Sequence, residues 1–165
     1  MELYLVRHGL AGQHGDYVDD TQRPLTEEGR RKTRSIAQGL HQLGLRFDLL
    51  LTSPLVRARQ TAEILQSEGL SKTLEQSDHL APDGKLENWL DWLAKGGFVG
   101  DRSLALVGHE PNLSSWAEML VWGESRGAIV LKKAGIIGLR LTQAGSPLGK
   151  SELFWLTPPK LFLRE

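Results

Sequence analysis

The chain contains no cysteine among its 165 residues. Disulfide bonds, thiolate metal sites and a cysteine nucleophile are therefore excluded. Basic and acidic residues number 20 each, so the net charge gives no argument for binding nucleic acid or a membrane surface. Apolar runs are only a few residues long, far shorter than the roughly 20 residues of a membrane-spanning helix. No basic region followed by a long apolar region resembles a signal peptide, and we expect a cytoplasmic protein.

The composition is otherwise that of an ordinary globular protein, with 40% hydrophobic and 24% charged residues. This length is sufficient to bury one core, so residues 1–165 are expected to form a single domain. Strand patterns are predicted at residues 2–6, 47–53, 73–75, 103–107, 128–131, 135–141 and 152–156. Helix patterns are predicted at residues 27–43, 86–93 and 113–120, with a further helix that begins at Pro54.

The order of these elements predicts the fold class. Strands and helices alternate over most of the chain, which is typical of a three-layer α/β domain with a mainly parallel sheet. The last strands follow one another without helices, so at least one of them is expected to run antiparallel. Thr26 stands directly before Glu27 and Glu28 and is the expected N-cap of the first helix. Residues 9–25 form a polar loop whose length is typical of functional or mobile segments.

Three predicted strands are followed by polar and charged residues of the kinds that take part in catalysis or ligand binding. Arg7-His8-Gly9 follows the first strand, Ser53 to Arg59 follows the second, and Gly108-His109-Glu110 follows a later one. In open α/β sheets, ligands bind beyond the carboxyl ends of the strands. If these strands are parallel neighbours, their ends share one edge of the sheet, and two arginines and two histidines meet there.

The combination of two arginines and two histidines suits a phosphoryl group. The guanidinium groups of Arg7 and Arg57 match the geometry of phosphate oxygens, and Arg57 lies in the first turn of its helix. A neutral His8 imidazole can attack phosphorus and hold the group covalently. A protonated His109 would stabilise the charged oxygens. The pattern therefore predicts a phosphoryl-transfer site.

Each of these residues also has a purely structural interpretation. A histidine at a strand end can bond a backbone carbonyl, and arginines often form an exposed helix face. A metal site formed by His8, His109 and Glu110 is a sharper alternative. Two arginines at the same place would repel a cation, which disfavours that alternative.

Four segments in order resemble the histidine phosphatase superfamily, which also includes the phosphoglycerate mutases. They are LVRHG at residues 5–9, RPLTEEG at 23–29, SPLVRARQTAEIL at 53–65 and LVGHEPNLS at 106–114. Within that superfamily the chain is similar to the short bacterial phosphohistidine phosphatases of the SixA type. The small size, the VGHEP form of the second histidine motif and the LAPDG segment at 80–84 carry this narrower resemblance.

The resemblance implies a mixed six-stranded sheet with helices on both faces, and no metal or other cofactor. It implies that His8 is the phosphorylated nucleophile and that Arg7, Arg57 and His109 complete the phosphate pocket. The acid that protonates the leaving group is left open between Glu110, Asp83 and no dedicated residue, since a phosphohistidine P–N bond is labile.

The expected substrate is a phosphohistidine on a signalling or phosphotransfer protein, because a minimal pocket with an open mouth suits a protein-borne group. A broad small-molecule phosphomonoesterase is the alternative within the superfamily. A mutase is disfavoured because the chain lacks room for the usual insertions. A non-catalytic phosphoprotein-binding module is a further alternative, although binding alone needs no nucleophile.

Overall fold

The computed structural model describes residues 1–163. Its strands are β1 (Glu2–Arg7), β2 (Leu49–Thr52), β3 (Leu74–Gln76), β4 (Ser103–Gly108), β5 (Ile136–Arg140) and β6 (Glu152–Thr157). Its main helices are α1 (Glu27–Gln42), α2 (Val56–Ser67), α3 (Leu86–Trp92) and α4 (Asn112–Trp122). Within residues 1–163 no helix combines the length and the apolar character needed to cross a membrane.

The six strands form one sheet in the order β3-β2-β4-β1-β5-β6. Strands β1 to β4 pair in parallel, whereas β5 is antiparallel to both β1 and β6. The predicted mixed, mostly parallel sheet is therefore confirmed. The last two strands, β5 and β6, follow one another without an intervening helix, and a short connection of this kind joins antiparallel neighbours.

Alternation along β1 separates two apolar layers. Leu3 and Leu5 pack into one core cluster, which includes Trp89 of α3 and residues of α4. Tyr4 and Val6 point to the opposite face, where they join a second cluster formed with residues of α1 and α2. Since successive side chains of a strand point to opposite faces, this central strand is buried on both sides between two helical layers.

The strand register places the three segments that follow β1, β2 and β4 at one edge of the sheet. Arg7 pairs with Gly108 in the β1–β4 ladder, and Thr52 pairs with Val107 in the β2–β4 ladder. The residues after these positions therefore leave the sheet side by side. The expectation that the three strand ends meet is confirmed.

The first helix begins where the sequence predicts. The Thr26 hydroxyl accepts a 2.9 Å hydrogen bond from the Gly29 amide, and Glu27 and Glu28 lie in the first turn. This cap fixes the end of the loop at residues 9–25, which is further tied by a bridge between Ala11 and Leu25.

The predicted strand at residues 128–131 is wrong, because this segment belongs to no strand. Its amides bind a side chain instead of a neighbouring strand. The buried carboxylate of Glu118 accepts hydrogen bonds from the Ala128 amide at 2.5 Å and the Ile129 amide at 2.7 Å. These bonds satisfy the backbone without a sheet partner.

Candidate active site

His8 lies directly after β1 and is 5% exposed. Its Nδ1 is 2.7 Å from the carbonyl oxygen of Gly9, which only accepts hydrogen bonds, so Nδ1 carries the proton. Nε2 is left with a free lone pair. Burial, together with the nearby His109 and Arg57, lowers the pKa of His8 to about 3. The neutral imidazole is therefore the form present near neutral pH, and its Nε2 is suited to attack phosphorus.

Close packing explains the glycine after His8. The Gly9 amide donates a 3.0 Å hydrogen bond to the hydroxyl of Thr61 on α2. A Cβ atom at this position would collide with the hydroxyl of Thr33 on α1. A glycine is needed here because the chain passes between two helices as it leaves the sheet.

His109 follows β4 and faces His8, with ring centroids 5.3 Å apart. Its Nε2 is 2.8 Å from the Ser53 hydroxyl, whose oxygen accepts a bond from the Leu55 amide and whose proton is free to bind Nε2. When the Ser53 hydroxyl donates this bond, the proton of the neutral ring lies on Nδ1. Nδ1 is buried and no group in residues 1–163 is hydrogen-bonded to it. With a proton on Nδ1, His109 can donate a hydrogen bond to a ligand.

The charge of His109 depends on what lies beside it. Burial, followed by the positive charges of Arg57 and Arg23, lowers the pKa of His109 to about 4. The ring is thus neutral near neutral pH without a ligand. The sequence predicts a protonated His109 when phosphate is bound. In that complex the negative charge of phosphate would offset the positive charges of the arginines and raise the pKa of His109.

Both predicted arginines are held by backbone carbonyls. Arg7 Nη1 donates a 2.9 Å hydrogen bond to the carbonyl of Leu131, and Arg57 Nη1 donates a 3.0 Å bond to the carbonyl of Asp20. The buried Nε of each arginine has no hydrogen-bond partner within the described chain. These two nitrogens and Nδ1 of His109 are buried polar groups without a partner, and an anion bound beside them would supply one.

The charged groups beside Arg57 include two residues that the sequence reasoning did not single out, Arg23 and Asp20. Arg23 is 9% exposed and donates from Nε to Asp20 at 2.8 Å and from Nη1 to the carbonyl of Gly12 at 2.9 Å. The bond from Arg23 lowers the pKa of the Asp20 carboxyl to about 2. Exposed His14 also contacts this carboxylate, at 3.0 Å. Arg23 opens the RPLTEEG segment, which was the available signal.

These groups surround a cavity of about 370 Å³ at the carboxyl ends of the parallel strands. Its wall is formed by Arg7, His8, Ala11, Gly12, Gln13, His14, Arg23, Arg57, Pro82, His109, Glu110 and Lys133. A larger cavity, of about 660 Å³, lies at the other end of the sheet beside Met1 and Leu141 and is lined mainly by apolar side chains. The smaller cavity is the candidate active site because it gathers the four predicted residues.

The two candidate acids lie in different places. Glu110 lines the cavity, but its carboxylate accepts a 2.9 Å bond from the Ser114 amide and a 2.6 Å bond from the Ser114 hydroxyl. It thereby caps the start of α4. Asp83 is exposed and does not line the cavity, although its neighbour Pro82 does. The structure brings Glu110 to the site and leaves Asp83 outside it.

The metal alternative receives no support from the geometry. Across residues 1–163, no three or more histidine, aspartate or glutamate side chains are grouped so as to hold a metal ion. His8, His109 and Glu110 therefore do not form the metal-binding set that their sequence positions allowed.

Comparison with known proteins agrees with this fold. A sequence model described as the histidine phosphatase superfamily (branch 1) matches residues 3–81. An uncharacterized protein of Picosynechococcus sp. is 48% identical over 164 residues, which cover 99% of each chain. The chain belongs to the histidine phosphatase superfamily.

Several solved structures share the fold of this chain. The structure of the protein histidine phosphatase SixA complexed with tungstate matches with a TM-score of 0.81 and 25% identity, covering 99% of this chain and 100% of that one. The alpha-ribazole phosphatase from Shigella flexneri matches with a TM-score of 0.74 at 17% identity, covering 96% and 97%. The second likeness concerns the fold alone, so the fold is shared by phosphatases of different substrates.

Proposed function

We propose that the protein is a metal-independent phosphohistidine phosphatase, which removes phosphate from a histidine of a signalling or phosphotransfer protein. One observation carries this proposal. His8, whose Nε2 lone pair is free, lines a cavity together with Arg7, Arg57 and His109, and each of these three has a buried nitrogen that no described residue binds: Nε of Arg7, Nε of Arg57 and Nδ1 of His109. A nucleophile among unpartnered donors suits a phosphoryl group, whose negative oxygens accept those hydrogen bonds.

The proposed reaction has two steps. The lone pair of His8 Nε2 attacks phosphorus and forms a P–N bond, while the bond to the substrate imidazole breaks and its electron pair leaves with that imidazole. Solvent supplies the proton that the leaving group takes up. Water then attacks the phosphoryl group on His8 and loses a proton to solvent. The P–N bond to His8 breaks, its electron pair returns to Nε2, and inorganic phosphate leaves. In both steps the two arginines and His109 bind the oxygens around phosphorus.

The choice of phosphohistidine rests on the carboxylates near the site. Asp20 is held ionised by Arg23, and both oxygens of Glu110 accept bonds from Ser114. A carboxylate so engaged is poorly placed to donate a proton to an alkoxide leaving group. The P–N bond of a phosphohistidine demands less help, so this site favours it over a phosphate ester. The exposed position of Asp83 fits the same proposal.

The proposal is tested with a histidine-phosphorylated phosphotransfer domain in excess chelator, by following loss of its phosphate. Unsubstituted protein should remove the phosphate, and His8→Ala should lower the rate on the order of a thousandfold. His79→Ala is the matched control, because His79 does not line the cavity. Retained turnover in His8→Ala would reject the covalent mechanism, and activity that chelator abolishes would reject metal independence.

A small-molecule phosphomonoesterase is the second candidate. The cavity volume of about 370 Å³ admits a small phosphate ester, which is the observation in its favour. The ratio of kcat/KM for the phosphorylated domain to that for an aryl phosphate separates the two functions. A preference for the aryl phosphate would move the substrate to small molecules and leave the chemistry of His8 in place. Phosphate binding without any turnover would favour the non-catalytic binding module.

A further inference from the structure

Lys133 is a cation of the cavity that lies outside the four sequence motifs. Its side chain is partly buried and lines the same wall as Arg7, His8 and His109. Within residues 1–163, no carboxylate lies within ion-pair distance of it. Partial burial of an ammonium group without an anionic neighbour costs free energy, which a bound anion would offset.

The backbone around Lys133 is fixed to the residues of the nucleophile. The Ala134 amide donates to the carbonyl of Arg7 at 3.0 Å and to that of His8 at 3.2 Å. The Arg7 amide donates in turn to the carbonyl of Gly135 at 3.2 Å. Ala134 adopts φ +58°, a conformation that is uncommon for a residue other than glycine. The turn is thus held in a strained shape that places Lys133 beside the Arg7–His8 segment.

The charges around the cavity leave Lys133 without compensation. Asp20 forms ion pairs with Arg23 and Arg57, and so neutralises part of the wall. Burial, and then the positive charges of Arg7 and the other arginines, lower the pKa of Lys133. In the protein alone this ammonium group is therefore repelled by its neighbours. An anion bound between Lys133 and Arg7 would turn that repulsion into attraction.

We propose that Lys133 is a phosphate-binding residue that contacts the oxygens of the transferred phosphoryl group beside Arg7. The inference deepens the proposed function and rests on it in placing a phosphoryl group in this cavity. Lysine serves this purpose as a compact point charge with three donors. It would add to the hydrogen bonds of the two arginines and His109 without taking part in proton transfer.

The test is calorimetric titration of the full chain with inorganic phosphate. Lys133→Met should weaken phosphate binding about tenfold, the scale of one charge-assisted hydrogen bond. Lys133→Arg should retain most of the affinity, since it keeps the positive charge. Lys132→Met is the matched control, because Lys132 is the neighbouring lysine, is exposed and does not line the cavity. It should bind phosphate within about twofold of the unsubstituted protein. Equal thermal unfolding midpoints show that the variants fold alike.

Several results would overturn the inference. If Lys133→Met and Lys132→Met weaken phosphate binding equally, the effect comes from the overall positive charge of the protein and not from a contact of Lys133 with phosphate. Lys133→Met could leave phosphate affinity unchanged and slow only the turnover of the phosphorylated domain. Lys133 would then contact the leaving group and not the phosphoryl oxygens. If the unsubstituted protein does not bind phosphate, the cavity is not a phosphate pocket and the inference fails. Failure to hydrolyse phosphohistidine while phosphate still binds would overturn the proposed function but leave the role of Lys133 standing.

Discussion

Asp20 holds Arg57 with both its backbone and its side chain. Its carbonyl accepts a 3.0 Å hydrogen bond from Arg57 Nη1, and its carboxylate oxygen lies 3.3 Å from Arg57 Nη2. The same carboxylate accepts the 2.8 Å bond from Arg23 Nε. An anion of the protein itself is therefore bound to two cations of the proposed phosphate pocket, where it competes with a phosphoryl group for their positive charge.

Asp20→Asn should raise the affinity for inorganic phosphate several-fold. The substitution removes the competing charge, while the backbone bond to Arg57 is retained. Calorimetric titration measures the change, and Asp16→Asn serves as the control because Asp16 is exposed and lines no part of the cavity. Weaker phosphate binding in Asp20→Asn would mean that the carboxylate organises the arginines more than it competes.

Phosphate binding should raise the pKa of His109 from about 4 toward neutrality. Burial and the arginines lower this pKa in the free protein, and a bound anion offsets the arginines. Between these two pKa values, binding takes up a proton at His109, so this residue makes binding tighter as the pH falls. NMR titration of the His109 ring with and without phosphate measures the shift. Phosphate added at constant pH should leave the NMR signals of the His79 ring, which lies outside the cavity, in place.

The two buried histidines should make the fold sensitive to mild acid. Their pKa values are lowered from 6.5 to about 3 for His8 and about 4 for His109. The unfolded chain therefore takes up protons first, so this contribution to stability is fully present above pH 6.5 and is lost as the pH falls toward those values. Above about pH 4.5, the ordinary pKa of a glutamate, carboxyl groups add little to the change.

His8→Gln removes one of these groups. The melting temperature of this variant should fall less steeply between pH 6.5 and about 4.5 than that of the unsubstituted protein. His79→Gln, at a histidine outside the cavity, is the control variant. Identical slopes for His8→Gln and the unsubstituted protein would show that His8 takes up its proton without unfolding the chain.

Glu118→Gln should destabilise the protein by about 2 kcal/mol, the scale of a disrupted set of buried hydrogen bonds to a charged group. Burial alone would raise the pKa of Glu118, but the bonds from the amides of Ile129 and its neighbours lower it to about 2. Glutamine replaces one accepting oxygen with a donor that faces those amides. Urea unfolding measures the loss, with Glu124→Gln as the exposed control.

The same substitution should also disturb the site. The segment that Glu118 holds leads to Leu131, whose carbonyl binds Arg7. We therefore expect Glu118→Gln to weaken phosphate binding as well as to lower stability. Full phosphate affinity in a destabilised variant would show that Leu131 holds its place without the buried carboxylate.

The sequence predicts the parts of the fold that local patterns determine. Apolar runs with abrupt polar ends identify β1 and β4, and the cap at Thr26 identifies the start of α1. The four motif residues could be assigned to one edge because parallel strands share the direction of their ends. The chemical roles of His8 and its partners stay predictions until the variants are measured.

Other features depend on contacts between distant segments. Lys133 reaches the cavity from a turn, and Asp20 pairs from a long loop with Arg57 of the cavity; neither residue has a local pattern that marks it. The apolar residues 128–131 resemble a strand, but a glutamate on α4 binds their amides. A glutamate beside the apolar stripe of α4 was the available signal, and only the tertiary structure shows which amides it binds.

The nucleophile and Asp20, which binds Arg57, lie on parts of the protein that differ in rigidity. Strand β1 is hydrogen-bonded on both sides, to β4 and to β5, so the amides leading to His8 should exchange with solvent only when the whole sheet opens. Asp20 belongs to a loop outside the sheet, whose neighbouring residues are largely exposed. The attacking nitrogen therefore keeps a fixed position, and adjustment to the shape of a substrate is left to the loop that holds Arg57.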